Sequence, residues 1–513
     1  MIVEDQSAVV AYLSRPSTHG EDGPVEVMET HISLIFLVGG RAFKLKRAVK
    51  LPYVDFSNAG LRLAACRKEV ELNSPTAPGL YLGAREIRRN AEGRPSFDGE
   101  GELVDAVVEM VRFGQDCLFD SMAADGRLSA RQMEEVSHMI ALFHRDAPAV
   151  PAEKGSANMA GVLDVNEAGF ATSKVFSPAE AENFNRAFRQ ALGRAAPLLD
   201  RRAGEGKIRR CHGDLHLRNI CLFGGRPRLF DCIEFNDRIA TVDVLYDFAF
   251  LLMDLWHRDL PGFANLAMNR YLDETGDEDG FVLLPFFMAV RAAVRAHVTA
   301  TQAAETAGGG AHLAEAARSY FELARALLHP AQGGLVAIGG LSGSGKTTVA
   351  EALAPSVGAP PGARIVESDR IRKNLFGVSA ETRLPDSAYV PEVSARVYRT
   401  LSERAEAIVR AGGSVVVDAV FDKPGNRALV EAAAHAAGAP FHGIWLETEA
   451  ARLRDRVTGR VGGPSDATPA VLERQLARDI GEMAWAHIDA GRPLAEVVGV
   501  ISDLVGNARP PVD

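Results

Sequence analysis

Cysteine, positive charge and long apolar runs are all scarce in this chain, and each scarcity excludes something. There are 5 cysteines in 513 residues (Cys66, Cys117, Cys211, Cys221 and Cys232), an odd number with no CxxC pair. That excludes a disulfide framework and argues against a cysteine-built metal site. Reduced, mostly buried thiols in the cytoplasm are expected. No uninterrupted apolar run approaches the roughly 18 residues that cross a bilayer, so no membrane span is expected. The first residues, MIVEDQ, carry acids where a secretory signal carries basic residues. Lys and Arg number 57 against 67 Asp and Glu, a formal charge of −10. A long nucleic-acid polymer calls for a basic face, so nucleic acid is not expected as the main partner, although a local basic track stays open for the C-terminal part.

What is present is ordinary in bulk: 47% hydrophobic and 24% charged residues, in a chain too long for one core. Two or three domains are expected. One stretch dominates, GGLVAIGGLSGSGKTTVAEAL from Gly333 to Leu353. An apolar run of strand type ends in Gly339–Gly340, the pattern G-x-x-x-x-G-K-T follows, and helical spacing resumes after it. Strand, glycine loop and helix are the context that gives the motif meaning. Gly340, Gly343 and Gly345, with Ser342 and Ser344, can turn backbone N–H groups onto a phosphate, and the new helix aims its positive end there. Lys346 can reach the β- and γ-phosphates of ATP, the Thr347 hydroxyl can ligate Mg²⁺, and Thr348 follows in the same turn.

The region before this loop begins with alternating runs flanking Gly39–Gly40, which read as a β-hairpin with Lys44 and Lys46 on one face of its second strand. A helix over 60–73 carries Glu69 and Glu71. Strand-like runs follow at 80–87 and 102–111, then amphipathic helices from Ser129 onward. The stretch RRCHGDLHLRNICLFGGRPRLFDCIEFND holds a constellation. Pairing Phe223 with Arg226 across a Gly-Gly turn sets Asn219 opposite Phe230, one step from Asp231. An amide oxygen beside a carboxylate suits Mg²⁺, and Asp214 just before them can accept a proton from an attacking hydroxyl.

On these residues, positions 25–325 resemble the aminoglycoside phosphotransferase and choline kinase branch of the protein-kinase-like fold, with HGDLHLRN as its catalytic loop. The resemblance implies Asp214 as catalytic base, Asn219 and Asp231 as Mg²⁺ ligands, Lys44 on the ATP phosphates and Glu69 as its partner. The registers Lys44 or Lys46, and Glu69 or Glu71, stay open; Lys44 and Glu69 are favoured. Glu109 to Arg112 would be the hinge beside adenine. Asp243 and Asp247 are expected to cap a helix and brace the catalytic loop. A glycine-rich phosphate flap is not evident, and no glycine directly follows Asp231.

After HPAQGG at 329–334, strand-like and helical segments alternate, with strands expected at 335–339, 363–368, 414–419, 441–446 and 496–501. That rhythm implies a parallel sheet with helices on both faces. Asp369 stands past the second strand, placed to activate an acceptor hydroxyl, with Arg372 three residues on to hold an anion. Asp418 ends an apolar strand and suits the Mg²⁺ shell. Arg452, Arg456 and Arg460 line one helix face beside Gly462–Gly463 and can form a lid on ATP. Segment 334–505 is similar to the small P-loop kinases of polynucleotide kinase, zeta-toxin and gluconate kinase type, and lacks the sensor arginines and long insertions of ring-forming ATPases. The expected organisation is an α+β kinase-like domain with lobes at 1–113 and 114–328, a linker at 329–334, and an α/β P-loop kinase domain at 335–513 with a five-stranded parallel sheet. The expected function is a cytoplasmic, bifunctional, Mg²⁺- and ATP-dependent phosphotransferase acting on small-molecule hydroxyls. The alternatives are a nucleotide-binding regulator with one silent domain, or a 5′-polynucleotide kinase.

Overall fold

The structure, a computed structural model, describes residues 3–51, 54–152, 154–305, 310–329, 331–459 and 465–506. Contacts divide the chain into two compact units, Met1–Asn166 with Leu192–Asp254, and Glu167–Ala191 with Leu255–Asp513. The division does not fall at 329–334: residues 255–328 belong with the P-loop sheet. Pro330 of the expected linker lies outside the described residues.

The first unit carries strands β1 (Glu26–Glu29), β2 (Ser33–Val38), β3 (Arg41–Lys46), β4 (Tyr81–Arg89), β5 (Pro95–Phe97) and β6 (Leu103–Val111) in one sheet, ordered β1-β2-β3-β6-β4-β5. All pairings are antiparallel. Helix α1 (Ala59–Asn73) starts where the Asn58 side chain accepts from the Leu61 N–H, and it lays Leu63 and Cys66 against Ala106, Val108 and Met110 of β6. Helix α2 (Ala130–Asp146) starts with a capping box of Ser129 and Gln132 and buries Met133, Val136 and Ile140. Short strands β7 (Ile208–Arg210) and β10 (Thr241–Asp243) pair, and between them β8 (Ile220–Phe223) and β9 (Arg226–Leu229) form the expected hairpin with Phe223 opposite Arg226. Helix α3 (Val244–His257) follows. A helix over Gly155–Thr172 was not legible from the sequence pattern.

The second unit is built on five parallel strands, β11 (Leu335–Gly339), β12 (Arg364–Glu367), β13 (Val415–Asp418), β14 (Phe441–Glu447) and β15 (Ala486–Asp489), ordered β12-β13-β11-β14-β15. Helices α4 (Pro261–Thr275), α5 (Leu284–Glu305) and α6 (Gly310–Leu327) precede the sheet. Helices α7 (Lys346–Leu353), α8 (Ser368–Leu375), α9 (Pro391–Arg410), α10 (Pro424–Ala436), α11 (Ala450–Thr458), α12 (Pro469–Leu476) and α13 (Leu494–Val505) surround it. The fifth strand is not at 496–501. Those residues lie in α13, where Val497 and Ile501 are buried one turn apart, and β15 takes the edge instead. An apolar run of that length fits either state, and here the i, i+4 spacing decides.

Phe281–Glu305 is, among the described residues, the one segment long and apolar enough to cross a membrane by length and composition, against the expectation of none; its apolar window is 67% buried within the fold. In α5, burial drives the His297 imidazole down to about 4, with Phe170 edge-on at 5.7 Å. An unfolded histidine titrates near 6.5. Between those values the unfolded chain binds the extra proton, so stability falls as pH drops below about 6.5, by roughly 2 kcal/mol at pH 5. The fall in urea midpoint from pH 7 to pH 5 should therefore be smaller in His297→Gln than in the parent; an equal fall would contradict this account.

Candidate active sites

In the first unit, β3 alternates so that Lys44 and Lys46 face the same side, toward α1. The Lys44 ammonium donates to Glu69 Oε1 at 2.9 Å and to Asp231, while Lys46 donates to Glu69 Oε2 and to Glu234. Glu69 is fully buried, whereas Glu71 is exposed. Both lysines therefore meet one carboxylate, and Glu71 meets neither. Burial pushes the Glu69 carboxyl up, but the two ammonium groups outweigh it and hold it down to about 2. Burial raises Glu234 more than Lys46 lowers it.

The hairpin register carries Asn219 beside Phe230, whose N–H donates to the Asn219 carbonyl at 3.0 Å. Asn219 Nδ2 donates to Asp214 Oδ2 at 2.9 Å. Asp231 takes a left-handed backbone, φ 60°, with its N–H on the Tyr81 hydroxyl at 3.0 Å. No glycine directly follows Asp231, and the aspartate itself absorbs the turn. Its side chain is 40% exposed beside the buried Lys44–Glu69 pair. Asp247 receives the N–H groups of His212 and Gly213 at 3.2 and 2.7 Å, and Asp254 receives that of Leu217 at 3.0 Å. These carboxylates hold the backbone of the HGD loop, and Asp243 is held by Arg202 at 2.8 and 2.9 Å.

Two features of the side expected to take the nucleotide depart from the kinase pattern. Gly39–Gly40 is the turn between β2 and β3, not a flap. The β1–β2 connection is three residues, Thr30 to Ile32, closed on the first residue of β2: Ser33 N–H donates to Thr30 Oγ1 at 2.9 Å, and Thr30 Oγ1 donates to the Ser33 carbonyl at 3.0 Å. Beside the expected hinge, a cavity of about 230 Å³ opens at Gly39, Gly40 and residues 112–115. Arg112 crosses to Glu26 at 3.1 Å, and Glu109 is paired with Arg41.

In the second unit the loop after β11 has φ of 146° at Gly340, 87° at Gly343 and 93° at Gly345. A Cβ on Gly343 would meet the Leu453 carbonyl at 2.8 Å. Lys346 opens α7 with its ammonium 3.3 Å from the Leu341 carbonyl. The Thr347 hydroxyl donates to Asp418 Oδ2 at 2.6 Å. Burial pushes Asp418 up, and Lys346 and Thr347 pull it back part of the way. Ser342 N–H is taken by Gln475 Oε1 at 2.9 Å, Ser344 is buried, and Thr348 is exposed. Asp369 and Arg372 stand three apart on α8. Arg372 lies over the Tyr389 ring at 4.8 Å and donates to the Ala388 carbonyl at 2.7 Å. Arg456 reaches the Gly343 and Ala490 carbonyls at 3.3 and 3.4 Å, and Arg452 the Gly491 carbonyl at 3.0 Å. Arg460, Gly462 and Gly463 lie outside the described residues.

Residues 102–281 match the phosphotransferase enzyme family, and residues 335–479 match the AAA domain family. The two matches follow one another along the chain, a phosphotransferase-family match and then an AAA-domain match, in keeping with the fusion expected from the sequence. Uncharacterized proteins of Mycobacterium bovis and Mycobacterium tuberculosis are 28% identical over 488 residues, 93% of this chain and 94% of theirs. A choline/ethanolamine kinase family protein from Mesorhizobium loti is 16% identical over 63% of this chain and 94% of that one, with TM-score 0.40. The Mycobacterium tuberculosis APS kinase is 21% identical over 34% of this chain and 99% of that one, with TM-score 0.26. A gluconokinase from Sinorhizobium meliloti is 25% identical over 35% and 97%, with TM-score 0.24.

Sequence reasoning missed several groups in the fusion. Lys46–Glu234 forms a second buried ion pair, Tyr81 steadies Asp231, and Gln475 occupies a P-loop N–H. Glu367, at the end of β12 opposite Asp418, is pushed up to about 7 by burial, against Arg370 and Arg270. Asp466 gathers Lys373, Tyr389 and the Leu384 N–H. A period-two reading of ESD flags Glu367; the others depend on long-range contacts with no local signature. Removing the Glu69 charge strands two buried ammonium groups on fewer partners, so Glu69→Gln should cost about 3 to 5 kcal/mol in denaturant unfolding. Glu71→Gln should stay within about 0.5 kcal/mol.

Proposed function

We propose that the chain is an ATP-dependent phosphotransferase with two kinase-type sites, each moving a γ-phosphoryl group to a hydroxyl of a small molecule rather than a nucleic-acid polymer, in the cytoplasm. The carrying observation is the same in both units: a lysine stands beside an oxygen donor, Lys44 on Asp231 with Asn219 one hairpin step away on Asp214, and Lys346 near Asp418, which takes the Thr347 hydroxyl. Carboxylate, amide and hydroxyl oxygens, without sulfur or imidazole, suit a hard cation, so Asn219 and Asp231, and Thr347 and Asp418, would hold Mg²⁺. When bound, that ion supplies charge neutralisation on the phosphate oxygens.

At the first site Asp214 accepts the proton of the acceptor hydroxyl, oriented by Asn219, while Lys44, kept charged by Glu69, holds the phosphates. At the second, the backbone of Gly340 to Gly345 cradles the phosphates with Lys346, and Asp369 takes the acceptor proton while Arg372 holds an anionic part of the acceptor. Arg456 closes the far side of the loop. The proposed lobes are 1–113 and 114–328, with 335–513 as the P-loop kinase and residues 255–328 packed in the same compact unit as the P-loop sheet.

The test is ATP consumption and phosphorylated-product detection by mass spectrometry, with full-length protein in a metabolite extract. Asp214→Asn and Lys346→Ala should each remove one set of products, and the double variant should lose about a hundredfold or more of total turnover. Turnover that survives in the double variant would overturn the proposal. The closed Thr30–Ser33 turn favours a second reading, in which the first site binds nucleotide as a regulator without turning it over. In either case Asp231→Ala should weaken Mg-ATP binding measured by titration in the Lys346→Ala background; unchanged affinity would remove the first site from both readings.

A further inference from the structure

Helix α4 falls inside the stretch that matches the phosphotransferase family, yet its partners are in the P-loop sheet. β12 is an edge strand, with its outer backbone groups open to pairing. Two buried asparagines of α4 take up that edge. Asn265 Nδ2 donates to the carbonyls of Pro361 and Ala363 at 3.0 Å each, and Asn269 Oδ1 accepts the Ile365 N–H at 2.7 Å. Arg364, 1% exposed, ties the strand to Asp273 and Glu278.

One turn of this helix reaches further. Arg270 Nη2 donates to Glu351 Oε1 at 2.9 Å, and its Nη1 stands 3.9 Å from Glu367 Oε1 and 3.4 Å from Asp273 Oδ2. Glu351 lies on α7, four residues after Thr347. Glu367 ends β12, two residues before Asp369 and level with Asp418. A single guanidinium thus spans the helix that starts at the phosphate loop and the strand that delivers the acceptor-side base. Its planar fork suits two carboxylates at a fixed separation, which a flexible ammonium does not. Small displacements between a nucleophile's base and the phosphate cradle are expensive in rate.

We propose that Arg270 is a positioning residue of the P-loop site, setting the separation of α7 from the Glu367–Asp369 strand end, so that α4 is a working part of that site. This rests on the phosphotransfer reading of the P-loop unit. The test uses the full chain with Asp214→Asn, so that remaining ATP consumption reports the P-loop site. Arg270→Gln should lower kcat roughly tenfold while KM for ATP stays within about threefold, at an unchanged thermal midpoint. Arg270→Lys should recover part of the loss, because an ammonium reaches one carboxylate at a time. Should Arg270→Gln fail to fold, Glu351→Gln decides, since its side chain is 43% exposed and its loss leaves the core intact; kcat should again fall severalfold. If these variants keep kcat within about twofold, or if kcat falls only in step with the thermal midpoint, positioning by Arg270 is overturned while the phosphotransfer reading stands. If Lys346→Ala leaves turnover intact, that reading falls and takes this inference with it.

Discussion

Glu69 sits where water does not reach, between two ammonium groups, and the first unit is arranged around that fact. A lone carboxylate there would be neutral; with Lys44 and Lys46 against it, it stays charged. The pairing fixes α1 against β3. It also fixes the chain after the hairpin, because each lysine has a second acid there, Asp231 for Lys44 and Glu234 for Lys46. Three segments distant in sequence are thereby locked by one alternating charge chain. Its outermost member, Asp231, is the one whose side chain solvent reaches most.

The P-loop was fully legible because its chemistry is local: a strand, glycines with positive φ, and a helix start all lie within twenty residues. The hairpin of HGDLHLRN to Asp231 was legible for the same reason, since a two-residue turn fixes its register. Lys44 against Lys46 was not, because both face one side of β3, and only the approach of α1 shows that one glutamate takes both. Gly39–Gly40 was legible as a hairpin turn, because alternating runs flank it, and it is the turn between β2 and β3.

Residues 496–501 failed as a strand for a plainer reason. Apolar content alone does not separate a buried strand from a helix whose exposed face is also partly apolar. The Arg270, Arg364 and Asp273 group left no trace in the sequence, since Arg364 is some ninety residues from the other two and charged residues three apart are common on helices. Long-range electrostatics of this kind is the part of a fold that pattern reading cannot supply.

The breaker-rich joint at 329–334 looks like the place to separate two modules, and the asparagines on β12 deny that. A P-loop fragment beginning there would leave behind Asn265 and Asn269, baring the row of N–H and C=O groups they cover. Such an edge templates strand pairing between molecules. Severed at its visible seam, the C-terminal half would tend toward self-association and precipitation.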